Sequence, residues 1–278
     1  MILTFDIEDF WHIIGFEPDS TRYSSRVDFM FSSLFEVLRE YELKASFFFL
    51  GEVVEKCPTL VAKCIDAGFD VGSHSYRHIP PSKRDIKDFA LDLERSLYNL
   101  EDLSGRSVQM YRAPGFGLTN DLLDEFFEIL IGLGITVDSS VVSGRSQYGH
   151  LDNRFSDFGP WRVFCDKGHL IELPLTKGRL KYPLGGGYFR LFPAFLHVIA
   201  FKGLADGMSY FHLRDFDYSQ PILDTVRSNP IRRFKSYFGI DKDFKKFLAL
   251  AKLMDFTSIS DYLATKEPED FKAVRFGR

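Results

Sequence analysis

Short apolar runs alternate with longer stretches of helical period through the first half of this chain, and the runs lead into residues that can do chemistry. Residues 2–6 form the first run and end on Asp6, with Glu8 and Asp9 just beyond. Residues 45–50 form a second, phenylalanine-rich run, and residues 69–72 a third that leads straight into His74 and His78. Residues 110–112 end on Arg112, and residues 135–138 on Asp138. Between them, residues 26–41 place Phe31, Leu34, Phe35 and Leu38 at helical spacing. Residues 52–67, 86–103 and 122–133 read as further helices, the first two stopped by Gly68 and Gly105. Strand–helix alternation of this kind predicts an α/β fold, a parallel sheet covered by helices. Polar site residues then gather at the carboxyl ends of the strands. Because they come from many strands, a closed or partly closed barrel fits better than an open sheet.

The second half is less regular. Residues 144–168 are rich in Gly, Asp, Asn and Ser and read as loop. Residues 171–175 and 208–212 read as strands, the latter ending on His212, and residues 240–265 as amphipathic outer helices. Gly185-Gly186-Gly187 is followed by no Gly-Lys-Ser/Thr, so it is no phosphate-binding loop. It reads equally as a tight turn or as a place where substrate approaches the backbone.

His74 and His78 are four residues apart. Were they to open a helix, they would share one face and could hold one metal ion. Catalytic zinc commonly takes three protein ligands and keeps one position open, so the carboxylates after the first run would complete the set. In an extended strand, residues two apart point the same way. Asp6 and Glu8 would then face one cavity and Asp9 the other. That favours Glu8 over Asp9 as the third ligand, with Asp9 the alternative if the chain bends after Glu8, a bend that Trp11 and His12 could pack.

Composition removes other classes. A net charge of −4 gives no nucleic-acid footprint, and Arg232-Arg233 reads as a solvated face. Three cysteines, Cys57, Cys64 and Cys165, give no disulfide framework and fit a reducing compartment. The first residues lack a basic signal region, and the longest apolar stretch, 189–203, is interrupted by Arg190, Pro193, His197 and Lys202. A cytoplasmic location is therefore expected, with peripheral membrane contact left open.

The ordered set Thr4-Phe5-Asp6-Ile7-Glu8-Asp9, His74-Ser75-Tyr76-Arg77-His78, Tyr111-Arg112-Ala113-Pro114, Asp138-Ser139-Ser140 and Tyr210-Phe211-His212 resembles the polysaccharide deacetylase family, the NodB-homology or carbohydrate esterase family 4 group. The likeness spans residues 1–215. Gly185-Gly186-Gly187-Tyr188-Phe189-Arg190 and Gln220-Pro221 resemble its exopolysaccharide-locus branch.

The resemblance implies a distorted (β/α) barrel of seven or eight mostly parallel strands over residues 1–215, with a helical extension over 216–278. It implies metal-dependent removal of acetyl from an N-acetylated amino sugar. Zn²⁺ or another divalent transition metal would sit on His74, His78 and one acidic residue. Asp6 would be the general base, oriented by Arg112. His212 would be the general acid, with Asp138 as the carboxylate paired to it. Pro114, Gly115 and Phe116 would contact substrate, the amide of Gly115 helping to bind the oxyanion.

His150 and Arg145 are further candidate sugar contacts. The partner would be an amino-sugar oligosaccharide or a lipid-linked precursor. Most members read Thr-Phe-Asp-Asp-Gly where this chain has Ile7 and Glu8. That departure keeps a cyclic-amide hydrolase of the allantoinase type, or a non-catalytic sugar-binding scaffold, as rival expectations.

Overall fold

The first strand is buried on both faces, and its two faces differ in chemistry. In β1 (Ile2–Ile7), Leu3, Phe5 and Ile7 enter the main apolar core, while Thr4 and Asp6 line the opposite side. The period-two alternation of a strand accounts for the split. The rings of Phe47, Phe211, Phe216 and Phe247 all lie within 6.3 Å of the Phe5 ring, so much of the chain's phenylalanine serves the layer between sheet and helices. Burying one such side chain stabilises the fold by about 1.5–3 kcal/mol.

The computed structural model describes residues 1–12, 23–142, 144–146, 148–152, 159–204 and 206–276. After β1 come α1 (Val27–Glu40), β2 (Ser46–Phe49), α2 (Gly51–Lys56), α3 (Thr59–Asp66), β3 (Asp70–Ser73), α4 (Ile86–Ser104), β4 (Met110–Tyr111), α5 (Leu123–Gly132) and β5 (Val137–Asp138). Next are a small antiparallel pair, β6 (Gly144–Arg145) and β7 (His150–Leu151), then β8 (Trp161–Cys165) and β9 (Gly168–Glu172). The chain continues through β10 (Leu184–Gly185), α6 (Gly186–Leu191), α7 (Ala194–Phe201) and β11 (Met208–His212). It closes with α8 (Asp224–Arg227), α9 (Pro230–Tyr237), α10 (Ile240–Ala251), α11 (Ile259–Leu263) and β12 (Lys272–Arg275).

The main sheet has the order β10-β11-β1-β2-β3-β4-β5-β9-β8-β12. From β10 through β9 every neighbouring pair is parallel. This is the mostly parallel, helix-covered α/β sheet that the alternation predicts. Among the described residues its ladder is not closed by hydrogen bonds, and β10 and β12 form its two ends.

Several local expectations are revised. The spacing predicts one helix over 52–67, but Pro58 splits it into α2 and α3, because proline lacks the amide that would continue the ladder. Residues 144–168 hold the strand β8, antiparallel to β9. The glycine run is neither a free turn nor a loop. Gly185 pairs with Tyr210 of β11, and Gly186 opens α6. A Cβ on Gly185 would lie 1.7 Å from the Tyr210 carbonyl oxygen, so only glycine lets β10 sit there. Residues 216–278 supply helices and also the edge strand β12. Phe247 of α10 is wholly buried in the main core.

Candidate active site

Parallel register places the site. Asp6 of β1 pairs with His212 of β11, so both side chains rise from the same end and face of the sheet. Nε2 of His212 stands 3.8 Å from Oδ2 of Asp6, and Nε2 of His74 stands 4.0 Å from that same oxygen. The other Asp6 oxygen accepts a hydrogen bond from the Arg112 guanidinium at 2.9 Å. Arg112 is fully buried. It also donates to the Thr4 hydroxyl at 2.8 Å and to the Ser139 hydroxyl at 3.1 Å, and its guanidinium carbon lies 4.2 Å from the Phe48 ring centroid. A guanidinium committed this way fixes one Asp6 oxygen and leaves the other facing His74 and His212.

Glu8, His74 and His78 present ligand atoms within 4.8 Å of one another. His74 Nδ1 lies 2.8 Å from the Arg112 carbonyl oxygen. That oxygen, the usual outer partner of a metal-bound histidine, only accepts, so Nδ1 carries the proton and Nε2 keeps a lone pair on the side of Asp6. Nε2 of His78 is 2.6 Å from Oε2 of Glu8. That oxygen is buried and has no hydrogen-bond partner of acceptable angle. An orphaned carboxylate oxygen facing two imidazole nitrogens fits a divalent ion of the zinc type. Burial works against the Glu8 charge, but His78, His212 and His74 outweigh it and bring the carboxyl down to about 2. For His74, burial dominates and lowers the imidazole to about 4, which keeps it neutral and able to ligate.

The histidine pair does not ride on a helix. His74 to Pro80 form an irregular loop in which Ser75 and His78 adopt left-handed backbone, φ 66° and 56°. Pro80-Pro81 follow directly and disfavour helix before them. The loop is held from outside. Asp92 of α4 accepts from the amides of Tyr76 at 2.7 Å and Arg77 at 3.2 Å, and the Ser96 hydroxyl donates to the Ser75 carbonyl at 3.1 Å. Strain of about 1–3 kcal/mol per such residue persists only where surrounding structure over-determines it.

The chain does bend after Glu8, with the His12 amide donating to the Asp9 carbonyl at 3.0 Å. The bend turns Asp9 away from the histidines. Its carboxylate accepts from the amide of Phe10 at 3.0 Å and from that of Arg26, ahead of α1, at 3.3 Å.

His212 has a different partner from the one the motif order implies. Its Nδ1 lies 3.1 Å from Oδ2 of Asp215, which also accepts from the His212 amide at 3.0 Å. Asp215 is in turn ion-paired with Arg190 of α6. Burial works against the His212 imidazolium, but Asp215, with Glu8 and Asp6 behind it, more than compensates and raises the group to about 9. Asp138 instead accepts from the Ser140 hydroxyl at 2.6 Å and sits in register with Glu172 of β9. Each of these two fully buried carboxyls has one oxygen without a hydrogen-bond partner of acceptable geometry. Burial, then the charge of Asp138, pushes Glu172 well up, which favours its protonated form. Ser140 also accepts from the Ala113 amide at 2.8 Å, so this pair braces the turn at Pro114.

Pro114, Gly115 and Phe116 form that turn, with left-handed backbone at Gly115 (φ 59°) and Phe116 (φ 51°). Glycine at 115 serves this conformation. The Phe116 ring packs edge-on against Tyr210 at 5.3 Å, so an aromatic stands one residue past Gly115 on the β11 side of the site. His150 is exposed on β7, and its amide donates to the Leu118 carbonyl at 3.0 Å, next to the same turn. The Arg145 side chain lies outside the described residues. Asp215, Asp92 and Glu172 escaped the sequence motifs, and Arg190 entered them only as the end of the glycine-run motif, with no role. The one signal for Asp215 was its position three residues after His212.

Known proteins resemble this chain in sequence and in fold. The profile described as polysaccharide deacetylase matches residues 2–129, and one described as a domain of unknown function, DUF3473, matches residues 139–264. The chain is similar to the peptidoglycan deacetylase of Helicobacter pylori, with 31% identity over 93 residues, 32% of each protein. It is similar to the peptidoglycan-N-acetylglucosamine deacetylase of Bacillus cereus, with 28% identity over 81 residues, 29% of this chain and 30% of the relative. The matched stretch thus spans about a third of these curated relatives. A crystal structure of a candidate polysaccharide deacetylase from Mycobacterium smegmatis superposes over 100% of this chain and 93% of its own. Its TM-score is 0.66 at 16% identity, a likeness of fold.

Proposed function

We propose that this chain, whose residues 2–129 match the polysaccharide deacetylase model, is a metal-dependent hydrolase that removes the acetyl group from an N-acetylated amino sugar in a polysaccharide or its precursor. The observation that supports the reading is the convergence of Asp6, His212 and the Glu8–His74–His78 group. Asp6 Oδ2 lies within 4.0 Å of both His212 and His74, and His74 belongs to the Glu8–His74–His78 group.

Glu8, His74 and His78 would hold the ion, and Zn²⁺ suits two imidazoles and a carboxylate. When bound, it supplies a Lewis acid for the acetamide carbonyl and makes water more acidic. The remaining work falls to the chain. Asp6, its other oxygen tied to Arg112, takes the proton from the attacking water through Oδ2. The Gly115 amide donates to the oxygen on which negative charge develops. His212, protonated through Asp215, gives its Nε2 proton to the sugar nitrogen as the carbon–nitrogen bond breaks, leaving acetate and a free amine. Arg190 pairs with Asp215 from behind and, against its burial, keeps that carboxylate ionised, so it stays the acceptor for the His212 Nδ1 proton. The DUF3473 segment would therefore contribute the acid half of the site, and its resemblance to the exopolysaccharide-locus branch supports a polymer-precursor substrate.

The test is acetate release from a chitooligosaccharide by the purified chain, before and after exhaustive chelation and again with Zn²⁺ restored. Release that depends on the ion is expected. Release indifferent to chelation would overturn the metal mechanism. Hydrolysis of a cyclic ureide alone would favour the allantoinase-type reading, and no hydrolysis with intact metal binding would favour a scaffold.

A further inference from the structure

We propose that the surface built by residues 177–183 with α6 and α7 is a docking surface for an anionic lipid bilayer. Phe195 and Ile199, four apart on one face of α7, are 61% and 54% exposed. Leu191 and Tyr188 on α6 and Leu180 on the preceding turn are exposed as well. These residues belong to one unit. Lys177 and Pro183 bridge across the turn, and the Arg179 amide donates to the Ala200 carbonyl of α7 at 2.9 Å. Tyr188 stacks on the buried Tyr182, and that ring packs against Phe192 and Phe201. The support beneath the patch is therefore apolar, while its outer layer faces solvent. Large apolar side chains grouped in this way mark an interaction surface.

Charge selects the occupant. Residues 173–205 contain five Lys or Arg and no Asp or Glu, in a chain whose net charge is −4. Arg190 is used inside, on Asp215. Arg179, Lys181 and Lys202 lie exposed beside the apolar residues. Long basic side chains flanking aromatic and aliphatic ones suit a headgroup layer, with rings entering the acyl boundary and cations remaining on phosphates. Among the described residues no helix is long and apolar enough to cross a membrane, so contact would be from one side. The same short helix α6 carries Tyr188 and Leu191 outward and Arg190 inward, so the surface and the acid side of the site share one element. The proposal itself does not depend on the chemistry at that site.

Sedimentation of the full chain with vesicles tests it, using phosphatidylcholine alone and phosphatidylcholine mixed with phosphatidylglycerol. Binding to the mixed vesicles is expected, weakened by high salt. Phe195→Ser with Ile199→Ser should weaken it about tenfold or more. Arg179→Gln and Lys181→Gln should each weaken it about fivefold. Should the apolar pair fail to fold, the basic variants and the salt series still decide. No binding to mixed vesicles, or binding that none of these variants changes, would overturn the proposal. So would a concentration-dependent dimer that Phe195→Ser with Ile199→Ser dissolves, because a second copy would then cover the face.

Discussion

Asp215 lies three residues after His212 and 3.1 Å from its Nδ1, and this carboxylate, not Asp138, sets the state of the imidazole. His212 is held at about 9 against an ordinary value of 6.5. A histidine raised in the fold contributes stability that is complete below about 6.5 and is lost as pH rises through about 9. The metal-free chain should show that loss in urea melts across the window, and Asp215→Asn should flatten it. In turnover, Asp215→Asn should move the alkaline limb of acetamide hydrolysis downward in pH. The rate should drop by up to the roughly 10²–10⁴-fold that a general acid contributes. An activated ester, whose leaving group needs no proton, should lose much less.

The two adjacent carboxylates after β1 should separate by role. Glu8→Gln removes the orphaned oxygen facing His74 and His78, and most bound metal should go with it. Asp9→Asn should keep metal and instead lose about 1 kcal/mol of stability, because its oxygens accept from the Phe10 and Arg26 amides. Metal analysis beside denaturant melts checks both. Metal kept in Glu8→Gln and lost in Asp9→Asn would reverse the assignment.

Strand alternation made Asp6 and Glu8 legible, since period two puts both on one face whatever the tertiary detail. Strand ends likewise announced Arg112 and His212. The histidine pair was found through the wrong local geometry. Spacing of four suggested a helix, whereas the two imidazoles meet in a loop whose left-handed residues are held by Asp92, distant in sequence. Asp138 was read as the partner of His212 because motif order carries no distance. Its register neighbour Glu172 lies in a strand whose role only pairing reveals. Strands β8 and β12 were missed for composition. The first lies inside the 144–168 stretch that reads as loop, and the second is an edge with mostly exposed side chains.

Arg112 should resist conservative replacement. Its guanidinium serves Thr4, Asp6 and Ser139 from one planar fork, and lysine offers a single point of charge. Arg112→Lys should cost about 1–3 kcal/mol in a urea melt, since buried acceptors lose their donors. It should lower kcat more than KM, because Asp6 loses its orientation and not its charge. Equal losses in kcat and KM would point to a purely structural ion pair.

Base and ligand roles come apart most directly in Asp6→Asn, measured for acetate release from a chitooligosaccharide and for metal content on the same sample. Asp6 Oδ2 faces His74 and His212, while Glu8, His74 and His78 form the ligand group without it. A full complement of metal is therefore expected with acetate release reduced about 10²–10⁴-fold. Undiminished acetate release, or loss of the metal together with activity, would contradict the assignment of Asp6 as the base of a metal-dependent deacetylase.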